Sequence, residues 1–250
     1  MNIKELITDI YFKIYETIDR GNYTATEIMN HKGYPIIAIK NKDNPRIFIS
    51  SGMHCDEYSQ IFAHLNFLKE NGCGVPFLSI PLINPYGLSQ YPKRDKSNRR
   101  WGKNEGVLQK GIEGYINKFD KFIVSIDMHE DTEENGLYIY GRGKYCSDLI
   151  KKILKESIPP CLISKKDLLY GDKCLRGVIS SEGIKENTLE SYMSNYSEIS
   201  LTSEVPGKFP QKMKEQIGQK ILDSLFRYES KISEMWVLEQ IRKKIVSAFK

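Results

Sequence analysis

The first stretch of the chain carries apolar residues at helical spacing. Ile3, Leu6, Ile7, Ile10, Ile14 and Ile18 fall on one stripe between Lys, Glu and Asp, which predicts an amphipathic helix over 3–19. Residues 23–28 read as a short strand and YPIIAIK over 34–40 as another, with a hairpin turn at 41–45 leading into the apolar run Ile47, Phe48, Ile49. Ser50, Ser51 and Gly52 break that run. An amphipathic segment follows from Glu57 to about Glu70, closed at 71–74 with Gly72 as its C-cap. Val75–Ile83 reads as a strand ending in the turn Asn84-Pro85-Tyr86-Gly87, and 88–109 as a long polar loop. Beyond it the pattern predicts a helix near 110–117, strands over Phe122–Met128 and Leu137–Tyr140, and a helix over 148–156 stopped by Pro159-Pro160. Residues 161–187 are loop-rich, 188–195 helical and 199–203 a strand, and 211–249 are helical in two segments. Strands alternating with helices argue for an α/β fold. No repeat or linker interrupts the pattern, so residues 1–250 are expected to form a single domain.

Composition narrows the function classes. Hydrophobic residues make up 40% and charged residues 28%, as in an ordinary soluble globular protein. The net charge of +5 is spread along the chain, which argues against a nucleic-acid partner. The N-terminal apolar residues are too interrupted for a signal peptide or a membrane span, and no other apolar run is long enough to cross a bilayer. Five cysteines, an odd number with no Cys-x-x-Cys pair, point to reduced thiols and a cytoplasmic location.

The candidate chemistry centres on Ile47–Glu57. His54 and Glu57 stand three residues apart where a buried strand hands over to a helix, and can both point at one metal ion. A second histidine, His129, follows the strand Phe122–Met128. The period of two puts Asp127 on its side, suited to orient a metal-bound imidazole. Two histidines and one glutamate are the three-ligand pattern of catalytic zinc. Glu204, at the end of the strand Ile199–Ser203, is suited to act as general base. His31 and His64 lack such partners and read as structural or surface residues. The basic stretch 93–103 reads on its own as a solvated or phosphate-binding loop.

These residues carry a resemblance. His54-Cys55-Asp56-Glu57, Asn84-Pro85-Tyr86-Gly87, Asn98-Arg99-Arg100-Trp101, Asp127-Met128-His129 and Thr202-Ser203-Glu204-Val205-Pro206 occur in the order found in the zinc carboxypeptidase family, across residues 34–207. The resemblance implies a three-layer α/β/α fold with a mixed central sheet. It implies one zinc ion held by His54, Glu57 and His129, with Glu204 as general base and acid. Asn98 and Arg99 resemble the family's clamp for a substrate carboxylate, and a planar guanidinium suits that role. Arg94 is similar in placement to the arginine that stabilises the oxyanion. Thr188–Tyr192 resembles the stretch lining the specificity pocket, where Leu189 or Glu190 would face the substrate side chain. The chain departs from the family in carrying Asp56 where many peptidases have Arg. It also has Glu182 where spacing places the substrate-capping tyrosine, with Tyr170, Tyr192 and Tyr196 as substitutes. The implied activity is removal of a C-terminal residue from peptides. The alternatives are an N-acyl amino acid deacylase of the succinylglutamate desuccinylase and aspartoacylase type, and a non-catalytic binding protein retaining the fold.

Overall fold

The computed structural model describes residues 2–71, 74–93, 97–103, 105–180 and 186–248, with side chains described to residue 229 except Ser97 and Ser157. In chain order the elements are α1 (Ile3–Gly21), β1 (Thr24–His31), β2 (Tyr34–Lys40), β3 (Ile47–Ser51), α2 (Tyr58–Glu70), β4 (Phe77–Ile80), α3 (Pro85–Ser89), α4 (Val107–Ile116), β5 (Phe122–Asp131), β6 (Tyr138–Arg142), α5 (Cys146–Ser157), β7 (Leu168–Leu169), β8 (Asp172–Lys173), β9 (Val178–Ser180), α6 (Leu189–Met193), β10 (Ser197–Pro206) and α7 (Gln211–Ala248). Single 3-10 turns cover Ser97–Arg99 and Pro160–Leu162.

Among the described residues, eight strands form one mixed sheet in the order β1-β2-β4-β3-β5-β10-β6-β9, and β7 and β8 form a separate hairpin. The centre is parallel: β4, β3, β5 and β10 run the same way. Strand alternation assigns the two faces. Ile47 and Ile49 of β3, Val124, Ile126 and Met128 of β5, and Ile199, Leu201 and Val205 of β10 pack under the apolar stripes of α1, α2, α5 and α7. Ile36, Ala38, Phe48, Leu78 and Ile80 face the other way, against α4 and α6. Fully burying each such side chain stabilises by about 1.5–3 kcal/mol. On that second face the central strands turn polar: Ser50 and Asp127 are register partners, as are Glu204 and His129. The three-layer α/β/α arrangement with a mixed sheet is therefore as expected.

Three details differ from the sequence reading. Residues 41–45 do not make a hairpin, because β4 lies between β2 and β3. Asn41 fixes this arrangement: its Oδ1 accepts from the Phe77 N–H (2.8 Å) and its Nδ2 donates to the Val75 carbonyl (2.9 Å), latching the end of β2 to the start of β4. The C-terminal helix is one continuous element, consistent with a stretch that contains no proline and one glycine, Gly218. A Cβ there would come within 2.7 Å of the Ala63 Cβ, so that glycine serves the close approach of α7 to α2. Strands β5 and β10 run three residues past the apolar patterns that marked them, and β9 joins the sheet edge unannounced. Hydropathy marks where the core lies, whereas the hydrogen-bonded ladder continues into the polar ends. Gly72 lies outside the described residues. Among the described residues no helix is long and apolar enough to cross a membrane.

His64 is wholly buried between β3 and β4. The Ser51 hydroxyl donates to the Pro81 carbonyl (2.6 Å), so the His64 Nδ1–H donates to Ser51 Oγ (3.0 Å) and Nε2 accepts from Ser79 Oγ (2.9 Å). That network needs the neutral ring. Burial pushes the imidazole down to about 3 from its usual 6.5, against a partial upward pull from Asp127. Below pH 6.5 the unfolded chain therefore takes up a proton that the folded chain refuses until about pH 3, so stability falls as pH drops through this window. Urea unfolding between pH 6 and 4 should show a slope that His64→Gln reduces by up to about 1.4 kcal/mol per pH unit. Identical pH profiles for the two proteins would contradict the assignment.

Candidate active site

The site is built at the carboxyl ends of β3, β5 and β10, where ligands bind in open α/β sheets. β3 is followed by Gly52, whose φ of +69° disfavours any other residue and where a Cβ would lie 2.9 Å from the Ile61 side chain. The loop that follows is clipped by the Asn-Pro-x-Gly turn. The Asn84 N–H donates to the Gly52 carbonyl, its Nδ2 donates to the Met53 carbonyl (3.1 Å), and its Oδ1 caps α3 by accepting from the Gly87 N–H (2.9 Å). His54 is thus delivered to the strand end by a rigid turn. Glu57 is the N-cap residue of α2, but its carboxylate does not cap the helix. It turns back instead: Oε2 accepts from the His54 backbone N–H (3.0 Å) and Oε1 lies 2.7 Å from His54 Nδ1.

His129, on β5, brings its own Nδ1 to 2.9 Å from the same Glu57 oxygen. Its Nε2 lies 2.7 Å from Asp127 Oδ2, and Asp127 Oδ1 accepts from the Ser50 hydroxyl (2.7 Å). The ring is therefore oriented from behind, with Nδ1 presented to Glu57. Ligand atoms of His54, Glu57 and His129 lie within 4.8 Å of one another. Glu57 and His129 are buried while His54 is partly exposed, so the group has one open side. Two imidazoles and a carboxylate with an open side fit a zinc ion with a place left for an exogenous ligand. Without a metal, the ionisable groups compensate one another. Burial would raise the Glu57 carboxyl, yet His129 and His54 hold it well below its usual range. Burial would depress His129, yet Asp127 and Glu57 hold it well above.

Glu204 stands beside His129 across the β10–β5 register. Its carboxyl is pushed up to about 8 by burial and by the charges of Glu57, Asp131 and Asp127, against a downward pull from His129. Asn98 ties its loop to α6: its Oδ1 accepts from the Leu189 N–H (3.1 Å) at the start of α6, while the Trp101 backbone N–H donates to the Asn187 carbonyl (3.0 Å). Arg99 is exposed beside them. Leu189 is fully buried in the core with Trp101 and Tyr192. Glu190 points the other way. Its Oε2 accepts from Thr202 Oγ1 (3.1 Å), two residues before Glu204 on the same face, and its Oε1 has no hydrogen-bond partner among the described residues. Burial pushes its carboxyl up to about 8. Arg94 and Glu182 lie outside the described residues.

Among the candidate capping tyrosines, Tyr192 donates to Asn117 Oδ1 (2.9 Å) and Tyr196 packs on Tyr192 with ring centroids 4.8 Å apart, so both are engaged elsewhere. Tyr170, at the tip of the β7–β8 hairpin, donates to Asp131 Oδ2 (2.8 Å), which also accepts from the Tyr138 hydroxyl (2.5 Å). Sequence reasoning missed Asp131. Its signal was the period of two that picked out Asp127 and His129, and the reading ended that strand too early.

No protein-family model matches the sequence, and no curated protein matches it. Solved structures do match. A candidate metallopeptidase from Shewanella amazonensis SB2B superposes with a TM-score of 0.75 at 17% identity, covering 87% of this chain and 91% of that one. A metallo-carboxypeptidase from Burkholderia cenocepacia gives 0.65 at 14% identity, over 88% of this chain and 68% of that one. The carboxypeptidase A from Helicoverpa armigera gives 0.62 at 12% identity, over 88% and 71%.

The fold is that of the zinc carboxypeptidases.

At such identities the likeness shows the fold alone, and the chemistry rests on the chain's own residues. Asp127 provides a first check. Asp127→Asn keeps the shape and the Ser50 bond but withdraws the charge behind His129. Zinc affinity, measured by competition with a fluorescent chelator, should fall about 10–100-fold. An unchanged affinity would mean that Asp127 does not orient a ligand.

Proposed function

We propose that this protein is a zinc-dependent metallocarboxypeptidase that removes a C-terminal residue from peptides. The observation that carries the reading is the convergence of His54, Glu57 and His129 at the ends of β3 and β5, with Glu204 paired to His129 on the adjacent strand. When bound, zinc supplies Lewis acidity, lowering the pKa of a water and polarising the scissile carbonyl.

The chain's residues supply the rest. Glu204 takes a proton from the attacking water and returns it to the leaving nitrogen. The charge of His129 favours the carboxylate form that this base needs, against the burial and the charges of Glu57, Asp131 and Asp127 that push its pKa up to about 8. Arg99 grips the substrate's terminal carboxylate in paired hydrogen bonds. Asn98, bound to the start of α6, keeps that clamp in register with Glu190. Of the two pocket candidates, Glu190 rather than the core-packed Leu189 contacts the substrate side chain. Arg94 is assigned to the oxyanion on the resemblance alone. The proposal takes residues 1–250 as one catalytic domain, and a cytoplasmic setting fits the free thiols Cys146, Cys161 and Cys174.

Zinc-loaded protein mixed with short peptides and N-acyl amino acids, followed by mass spectrometry, should release single C-terminal residues. Release of an acyl group would support the deacylase alternative instead. Glu204→Gln should lower kcat by about 10²–10⁴-fold with zinc content unchanged. Full activity in that variant would remove Glu204 from the mechanism. Arg99→Ala should act mainly on KM, raising it about 10–100-fold for free-acid substrates, as expected for loss of a charged hydrogen-bond pair. Equal cleavage of amidated and free-acid peptides by the parent protein would contradict the clamp.

A further inference from the structure

Directly after His129, β5 sends the next side chain to the opposite face of the sheet. Glu130 is 2% exposed and lies under α2 and α7. Its Oε1 accepts from the Ser59 N–H (3.0 Å) in the first turn of α2, and its Oε2 is ion-paired with Lys214 Nζ. Lys214 is itself buried, 7% exposed, near the start of α7. Its carbonyl accepts from Gln60 Nε2 (3.4 Å), again in the first turn of α2, and its ammonium lies 5.8 Å from the centre of the Tyr58 ring.

The pair is not an obvious stabiliser. Two charges taken out of water cost several kcal/mol of desolvation each, and apolar replacements of similar size are often neutral or stabilising. Its position, however, is specific. The first turn of α2 leaves its N–H groups without helical partners, and the N-cap residue that would normally satisfy one of them is Glu57, whose carboxylate is committed to the two histidines. Glu130 supplies the missing acceptor from the neighbouring strand, and a carboxylate there also meets the positive end of the helix. One contact therefore joins the residue after His129 to the second residue after Glu57. Lys214 neutralises Glu130 and ties α7 to the same turn.

We propose that the Glu130–Lys214 ion pair is a positioning device that sets Glu57 against His129 and so determines the affinity of the site for a divalent cation. The inference rests on the metal-site reading above. A purely structural pair would affect the stability of the metal-free fold and leave zinc affinity alone, whereas a positioning pair affects zinc affinity even where the fold is untouched.

The test compares Glu130→Gln, Lys214→Met and the double variant with the parent. Zinc affinity is read by chelator competition, and thermal unfolding is followed in excess chelator. The double variant leaves no uncompensated buried charge and is expected to fold even if a single variant does not. Zinc binding about 10–100-fold weaker than the parent in the folded double variant is the expected result. A folded double variant with parental zinc affinity would overturn the proposal. Glu57→Gln separates the two layers of the argument. It should abolish tight zinc binding, and if it does while the Glu130 and Lys214 variants bind normally, the positioning role alone falls. A parent that binds no zinc, or a Glu57→Gln variant that binds it as tightly as the parent, would remove the metal site and the positioning role together.

Discussion

A carboxylate that is 1% exposed, as Glu57 is, must be compensated or it would not remain charged. Here two imidazole Nδ1 atoms converge on one of its oxygens, and the His54 backbone N–H satisfies the other. That requirement propagates outward. To reach both histidines, Glu57 turns away from the end of α2 and makes no capping bond there. To present Nδ1, His129 must be held through Nε2 by Asp127, which is held in turn by Ser50. To bring His54 into range, β3 must end in a glycine turn that Asn84 clips in place.

The sheet makes this possible by giving each central strand two characters. On β5, Val124, Ile126 and Met128 build the core under α2 and α7, while Asp127, His129 and Asp131 share the opposite side. On β10, Ile199, Leu201 and Val205 do the same while Thr202 and Glu204 face the site. The apolar half of each strand stabilises the platform, and the polar half carries groups whose burial costs energy. Charge compensation is correspondingly dense. His129 and His54 hold Glu57 ionised, and Asp127 and Glu57 hold His129 ionised, whereas Glu204 and Glu190, with less compensation, are pushed up to about 8.

Much of this was legible in the sequence. His54, Glu57, His129 and Glu204 each stand just past a short apolar run, where an α/β sheet ends, and the helices follow from their stripes. What was not legible depended on topology. The insertion of β4 between β2 and β3 rests on the Asn41 side chain reaching residues 75 and 77, which periodicity cannot reveal. Asp131 was hidden because β5 continues into polar residues on ladder bonds alone. Lys214 had no signal: one lysine among many on a long helix, it becomes special only when α7 crosses β5 and places it against Glu130. Asn98 was legible as part of a motif, but its bond to Leu189, which joins its loop to α6, was not.

His54, Glu57 and His129 are proposed to hold a zinc ion. The most direct measurement is an anomalous-diffraction map of crystals grown with zinc, recorded on either side of its absorption edge. One strong peak is expected at about 2.0–2.2 Å from an imidazole nitrogen of His54 and of His129 and from the Glu57 carboxylate. Density that leaves Glu57 hydrogen-bonded to both histidines with no peak between them, or a peak held by other residues, would contradict it.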